Sequence, residues 1–386
     1  MKPKNNNLPK GWRKVKLGEI ADIKMGQSPS SQFYNSRGEG LPFYQGITDF
    51  GSKYPNKSVY CTNPIKIAEK GEVLFSVRAP VGEVNIAIEK SCIGRGIAAL
   101  SMKNKNNEFL YYLLKYHTQY FKNISGGTTY ESIGKDQIVE IEVTIPEDIN
   151  EQKRIADILS AFDEKIELNN KIIKTLEEMA QEVFKEWFVR FRFPGWQKIK
   201  FVDSELGKIP EGWEVKNIME IIKRIPVGKR YDNKTALPKG KVPILDQGQS
   251  GIIGFHNGEP GVKASPKNPV AVFSNHTCYY RLVTFDFSCI QNVIPYIGIN
   301  GYPTTFVFYL TKDKIKMSDY KGHWPEFTAQ KFVVPPPELA KKFSEVIQPM
   351  IEKIDEITKE NQKLAELRDL LLPKLMSGEL LVKSEE

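Results

Sequence analysis

Four histidines and four cysteines are the side chains of this chain best suited to hold a metal or to attack an electrophile. They stand at His117, His256, His276 and His323, and at Cys61, Cys92, Cys278 and Cys289. A zinc site gathers ligands at short recurring spacings, such as Cys-x2-Cys or two histidines one helical turn apart, because neighbouring ligands must reach one ion from one local element. None of the eight follows such a spacing, so no metal is expected. His276 and Cys278 read as one loop-facing and one buried residue, and Cys92 and Cys289, at matching places in a repeat described below, read as core thiols. No Ser-His-Asp or Cys-His set is nominated as catalytic, and no G-x-x-x-x-G-K-[ST] phosphate loop occurs.

What the chain does offer is recognition by hydrogen bonds. Its 55 Lys and Arg outnumber 47 Asp and Glu, and the net charge of +8 is a mild bias towards polyanionic partners. On DNA, Arg and Lys suit guanine edges, Asn and Gln suit adenine, and hydroxyls or backbone amides hold phosphates. Loop residues of these types in the first half are Gln27, Ser28, Gln45, Arg78, Arg95, Thr128 and Thr129, with Lys135 as a phosphate contact. In the second half they are Lys229, Arg230, Gln247, Asn275, His276, Asn292, His323 and Trp324. Each also reads as a solvated loop or turn residue, and sequence alone does not pair a side chain with a base.

The elements that must position these residues come in two copies. A chain of 386 residues, 40% hydrophobic and 26% charged, is long enough for two folded domains. The opening MKPKNNNLPKGW lacks an apolar signal core and no apolar run is long enough to span a bilayer, so a cytoplasmic protein without a membrane partner is expected. Leu8-Pro9-Lys10-Gly11-Trp12 returns as Ile209-Pro210-Glu211-Gly212-Trp213, each a turn feeding a short helix. Pro42 with Gln45-Gly46 returns as Pro243 with Gln247-Gly248, and Val73-Leu74-Phe75-Ser76 as Ala271-Val272-Phe273-Ser274. Ser91-Cys92-Ile93 matches Ser288-Cys289-Ile290, and FLYYLLK at 109–115 matches FVFYLTK at 306–312. Short apolar runs bounded by Gly, Pro, Asn and Ser make each copy an α+β unit.

A helical rhythm follows each copy. Asp148 with Glu151 offers a capping box, and Leu159, Phe162, Ile166, Asn169, Ile173, Leu176, Ala180, Val183 and Trp187 then recur at steps of three and four until Pro194-Gly195. After Pro335-Pro336-Pro337 the rhythm returns at Ile347, Met350, Ile354, Ile357, Asn361, Leu364, Arg368, Leu371 and Leu375. Pro349 is expected to separate a short lead-in helix from the long one, and Pro373 to kink or end it. The segments are then 1–147, 148–193, 194–334 and 335–386. Two such stripes suit an antiparallel coiled coil, and about 35 helical residues span roughly 50 Å. Phe184, Trp187, Phe188, Phe191 and Phe193 read as packing onto the next domain or as a docking site. A repeat closed by two antiparallel helices has the pseudo-two-fold symmetry of a DNA-binding dimer, and copies with different loops imply a bipartite, asymmetric target across about 15 unread base pairs.

This layout resembles the specificity (S) subunits of type I restriction-modification enzymes over nearly the whole chain. The residues that carry the resemblance are the PKGW and PEGW openings, and Ile145-Pro146 running into Glu151-Gln152-Lys153-Arg154-Ile155 and a long helix. The second copy departs, with Leu339-Ala340-Lys341-Lys342 in place of EQKR. The resemblance implies two target-recognition domains on double-stranded DNA and no catalysis by this chain. It also implies two modification subunits, which methylate adenine N6 with S-adenosylmethionine, and restriction/translocase subunits driven by ATP and Mg. No cofactor then belongs to this chain. Two rivals are a self-contained methyltransferase/nuclease and a coiled-coil adaptor that binds proteins only. Against the first, Val334-Pro335-Pro336-Pro337-Glu338 lacks the leading Asp or Asn and the aromatic of a target-base motif, and reads as a strand exit.

Overall fold

A computed structural model describes residues 8–126, 132–248, 251–319 and 321–382. Its contacts divide the chain into two compact units, Met1–Leu168 with Asn361–Glu386, and Asn169–Glu360. The fold mixes helix and sheet, and each unit holds one sequence repeat together with part of both long helices, Ile149–Phe184 and Pro337–Met376.

In the first unit the chain enters through a turn in which the Trp12 amide donates to the Pro9 carbonyl at 3.0 Å. Gly11 takes φ +81° there, the left-handed value this turn demands. Strand Trp12–Lys16 then pairs antiparallel with Glu142–Pro146, bringing the opening motif beside the start of the first long helix. A single helical turn, Leu17–Ile20, leads into a four-stranded sheet ordered Ala21–Met25, Ile97–Met102, Val73–Ser76, Val84–Ile86. Val73–Ser76 is buried at every position, as a strand covered on both faces must be. The period of two divides its contacts: Val73 and Phe75 join the core made by helix Asn107–Gly126, while Leu74 joins Tyr44, Ile93, Ile97 and Ala99 on the other face. Ile155, Ala156 and Leu159 of the first long helix and Leu372, Leu375 and Met376 of the second complete the core.

The second unit repeats this frame. Gly212 takes φ +85° in the same turn, and Glu214–Asn217 pairs with Lys331–Val334. The sheet runs Ile222–Arg224, Val293–Gly298, Val270–Ser274, Tyr280–Val283. Helix Thr304–Thr311 stands where Asn107–Gly126 stands in the first unit, and Trp324–Thr328 answers the short helix Lys135–Val139. Phe184 and Phe188 are buried among Trp213, Phe306, Tyr309 and Phe343, so the aromatic excess of the first linker packs into this unit's core. A π-helical turn, Lys185–Val189, rotates Phe188 inwards after the regular helix ends. Within this unit Asn169 bonds Glu360 at 2.8 Å and Phe184 meets Phe343, so the two helical segments run in opposite directions.

The helical stripes are buried or half-buried at every position expected from Leu159 to Val183 and from Ile347 to Leu371. Three details differ from expectation. The helix Pro337–Met376 is unbroken at Pro349. Ile347 and Ile351, one turn apart and 0% and 4% exposed, anchor both sides of that proline, and burying two such side chains at about 1.5–3 kcal/mol each offsets a helix-interior proline's roughly 3 kcal/mol. Pro373 does not end the helix at once either, since Leu375 and Met376 are still helical and buried. Asp148 caps the first long helix by accepting from the Asn150 amide at 2.9 Å, but Glu151 does not close the box. Its carboxylate accepts the Trp12 indole N–H at 3.2 Å instead.

Candidate nucleic-acid interface

Three loops of the first unit converge on the connection Gly94-Arg95-Gly96 between strands Ser91–Ile93 and Ile97–Met102. From one side the Gln27 amide donates to the Ile93 carbonyl at 3.0 Å, and the Arg95 amide donates to Ser28 Oγ at 3.2 Å. From another side the Gly94 amide donates to the Tyr44 carbonyl at 2.8 Å, and from a third the Val77 amide donates to Gly96 at 2.9 Å. The packing is close enough that a Cβ on Gly96 would lie 2.1 Å from the Gln45 carbonyl oxygen. Gln27, Ser28, Gln45, Arg78 and Arg95, scattered over the sequence, are thus gathered around one tip. Arg95 is the only exposed residue from Ser91 through Met102. Lys135 is exposed at the start of its short helix and lines a separate shallow cleft with Asp22, Lys24, Lys66 and Glu72. Among the described residues, Arg78, Arg95 and Lys135 form no ion pair with a carboxylate. Thr128 and Thr129 lie outside the described residues.

The second unit builds the same tip from Ile290, Gln291 and Asn292. The Ile290 amide donates to the Leu245 carbonyl at 3.1 Å, as Gly94 does to Tyr44, and the Asn275 amide donates to Asn292 at 2.9 Å, as Val77 does to Gly96. Arg230 Nη1 donates to the Ile290 carbonyl at 3.0 Å. Lys229 lies over the Tyr231 ring at 5.2 Å. Gln247 is turned inwards: its side-chain oxygen accepts the His276 amide at 3.0 Å, tying two of the predicted residues together. Asn275 accepts the Trp324 amide at 2.7 Å, and Trp324 stacks on Phe327 with ring centroids 4.9 Å apart.

These bonds correct the alignment of the two copies. Cys289 pairs in parallel with Leu245 as Ile93 pairs with Tyr44, so Cys289 takes the place of Ile93 and not that of Cys92. The Ser-Cys-Ile blocks are one residue out of step because the inward-facing positions, Ile93 in one copy and Cys289 in the other, fill the same layer of core. It follows that the counterpart of Arg95 is Gln291, which the sequence did not single out, and that Asn292 answers Gly96. Gln291 is the only exposed residue from Phe287 through Ile299. Both cysteines are buried, and burial pushes the thiols of Cys92 and Cys289 up to about 12 and about 11, so they stay protonated at neutral pH.

His323 leaves the set of solvent-facing candidates. It is fully buried, with Nδ1 against Glu326 at 2.9 Å and Nε2 against the Asp319 carbonyl at 3.1 Å. His256, not singled out for recognition, is also buried and holds loops together. Its Nδ1 accepts the Gly258 amide at 3.1 Å, leaving Nε2 to donate to Ser288 Oγ at 2.9 Å, and it stacks on Tyr231 at 4.3 Å. Burial and then the Lys229 charge hold its pKa below the ordinary value. Arg281 is a second positioning residue missed by sequence: it donates to the Gly251 carbonyl at 2.7 Å and pairs with Asp246 at 3.5 Å, bracing the loop that carries Gln247. No local signal links Asp246 to a residue 35 positions away. Among the described residues no cluster of three or more His, Cys, Asp or Glu side chains could hold a metal ion, and no helix is long and apolar enough to cross a membrane.

Comparison with known proteins finds one family throughout. Residues 9–178 match the family profile described as the type I restriction modification DNA specificity domain. A Methanocaldococcus jannaschii protein provisionally named the type I restriction enzyme MjaX specificity subunit is 41% identical over 180 residues, 46% of this chain and 42% of the relative. The chain therefore spans less than half the length of that relative. The type I restriction enzyme MjaIX specificity subunit of the same organism is 29% identical over 97% of this chain and 95% of its own length. The crystal structure of a type I restriction-modification S subunit from M. genitalium shares the fold across 99% of this chain and 98% of that one, with TM-score 0.58 at 20% identity. The chain is thus similar to type I restriction-modification specificity subunits, through residues 9–178 to the family profile and over nearly its whole length to the MjaIX subunit.

Proposed function

We propose that the chain is the DNA sequence-specificity subunit of a type I restriction-modification complex, in which the two units read the two halves of a bipartite, asymmetric target. The observation that carries this reading is the duplicated frame with unlike tips: the same three-loop convergence presents Arg95 in one unit and Gln291 in the other. Equal frames suit half-sites related by the local two-fold of DNA, and unequal side chains suit half-sites of different sequence. The segments 1–147 and 194–334 are the two target-recognition domains. The helices Ile149–Phe184 and Pro337–Met376, with 36 and 40 residues, pack as an antiparallel coiled coil about a pseudo-two-fold axis and fix the unread gap. At 1.5 Å per residue they measure roughly 54 and 60 Å.

The chain acts in the cytoplasm on double-stranded DNA and is not itself a catalyst. Two modification subunits and the restriction/translocase subunits assemble on it and supply S-adenosylmethionine-, ATP- and Mg-dependent chemistry. The remaining recognition candidates, Gln27, Ser28, Gln45, Arg78 and Lys135 in the first unit and Lys229, Arg230, His276 and Trp324 in the second, supply phosphate and groove contacts around the tips.

Modified adenines mapped across the DNA of cells that express this chain with its modification subunit, against cells with that subunit alone, test the reading. A two-part motif with a fixed gap is expected only when the chain is present. Association of the soluble proteins without any motif would favour the protein-only adaptor, and cofactor-dependent methylation by the chain alone would favour a self-contained enzyme.

A further inference from the structure

We infer that Arg95 and Gln291 are the base-reading side chains at equivalent tips, Arg95 recognising a guanine in one half-site and Gln291 an adenine in the other. The inference rests on the DNA-reading function proposed above and names the residues that set its specificity.

A side chain that reads a base edge must protrude from a rigid backbone, must not be engaged by a neighbour, and must carry paired hydrogen-bonding groups of the right polarity. Arg95 and Gln291 meet all three conditions. Each is the single exposed residue in an otherwise covered strand-tip-strand segment. Each backbone is held on both sides: the Gly94 and Ile290 amides donate to Tyr44 and Leu245, and the Gly96 and Asn292 carbonyls accept from Val77 and Asn275. Neither side chain has a hydrogen-bond or ion-pair partner among the described residues. Other recognition residues of the second unit are committed elsewhere: the Gln247 side chain accepts the His276 amide and the Asn275 side chain accepts the Trp324 amide.

The chemistry at the two tips differs in a directed way. A guanidinium offers two parallel donors, matching the O6 and N7 acceptors of guanine, whereas a carboxamide offers one acceptor and one donor, matching N6 and N7 of adenine. Substitution at either tip removes no side-chain hydrogen bond or ion pair among the described residues, so the variants report on recognition.

The test is the same map of modified adenines, repeated with Arg95→Ala and Gln291→Ala in the full complex. Arg95→Ala is expected to relax one guanine position in the first unit's half-site, with a loss of discrimination of about 10-fold or more. The other half-site and the gap stay unchanged. Gln291→Ala is expected to relax one adenine position in the opposite half-site only. Arg95→Gln accompanies them as a control that keeps a polar side chain at the tip. A bipartite motif that is identical in the unsubstituted protein and in both alanine variants overturns the inference while leaving the subunit function intact. Loss of all modification in both Arg95→Ala and Arg95→Gln assigns the side chain to folding and overturns it equally. Absence of any motif in the unsubstituted protein removes the function on which the inference stands, and the inference with it.

Discussion

The indole N–H of Trp12 donates to the carboxylate of Glu151 at 3.2 Å across 139 residues of sequence, joining the Pro-x-Gly-Trp opening to the first turn of the long helix. Beside it Gln152, 3% exposed, donates to the Pro146 carbonyl at 2.8 Å and accepts from Asn104 at 2.9 Å. The opening motif and the Glu151-Gln152-Lys153-Arg154 motif thus meet in one joint between the first unit and the long helix. In the second copy Leu339 stands for Glu151, and Trp213 lies instead against Phe191 and Phe193, both at 5.3 Å.

Glu151→Ala should therefore lower stability by about 1.5–3 kcal/mol, the range for a hydrogen bond to a charged group. A double-mutant cycle with Trp12→Phe in urea unfolding should return about 1 kcal/mol of coupling. Additive effects would show that the bond contributes nothing.

Asp163 is the centre of a buried polar cluster in the first unit, accepting from Tyr112 at 2.6 Å and pairing with Arg368. Burial and the neighbouring Asp163 charge raise the Tyr112 phenol well above its ordinary value, so it stays a donor. Asp163→Ala leaves the largely buried Arg368 guanidinium with Asp369 as its remaining carboxylate and should cost up to about 3 kcal/mol, whereas Asp163→Leu with Arg368→Met should recover most of that loss. Chemical denaturation of the three proteins checks both; a double variant as unstable as the single one would show that the pair is needed for more than charge balance.

His117 lies against the Tyr116 and Phe121 rings, with centroids at 5.0 and 6.3 Å, and burial lowers its pKa from 6.5 to about 4. The folded state keeps the ring neutral where the unfolded chain protonates it. The His117 contribution to stability is therefore complete above pH 6.5 and is lost as pH drops from 6.5 towards 4. His256, also held below its ordinary value, adds to the same slope. The slope should shrink in His117→Leu when urea midpoints are measured across this window; an unchanged slope would assign it to other groups.

Removing four residues from each long helix, about one turn and roughly 6 Å, should shorten the unread gap by one or two base pairs and leave both half-sites as they were. Adenine-modification maps give the spacing directly. A gap of unaltered length would remove the helices as the ruler.

Local features were legible because local physics makes them. The Gly11 and Gly212 turns, the burial of Leu159 and Ile347, and the helix start at Asp148 follow from dihedral preference, apolar periodicity and capping, each acting over a few residues. Duplication of the fold was legible as well, since Val73–Ser76 and Val270–Ser274 carry the same buried run in the same place of the same sheet order.

The sequence by itself thus determined two α+β copies, each leading into a long helix with an apolar stripe. Only the tertiary structure decided which loop residue stands at each tip, because that depends on strand register, and register is set by which side chains fill a shared core layer. Matching letters aligned Cys92 with Cys289, while packing aligned Ile93 with Cys289 and so put Gln291, not Asn292, opposite Arg95. His323 and Pro349 were decided in the same way. A histidine becomes a buried brace when Glu326 and Asp319 close on it, and a proline stays inside a helix when Ile347 and Ile351 are anchored on either side, outcomes fixed by contacts that no short window of sequence contains.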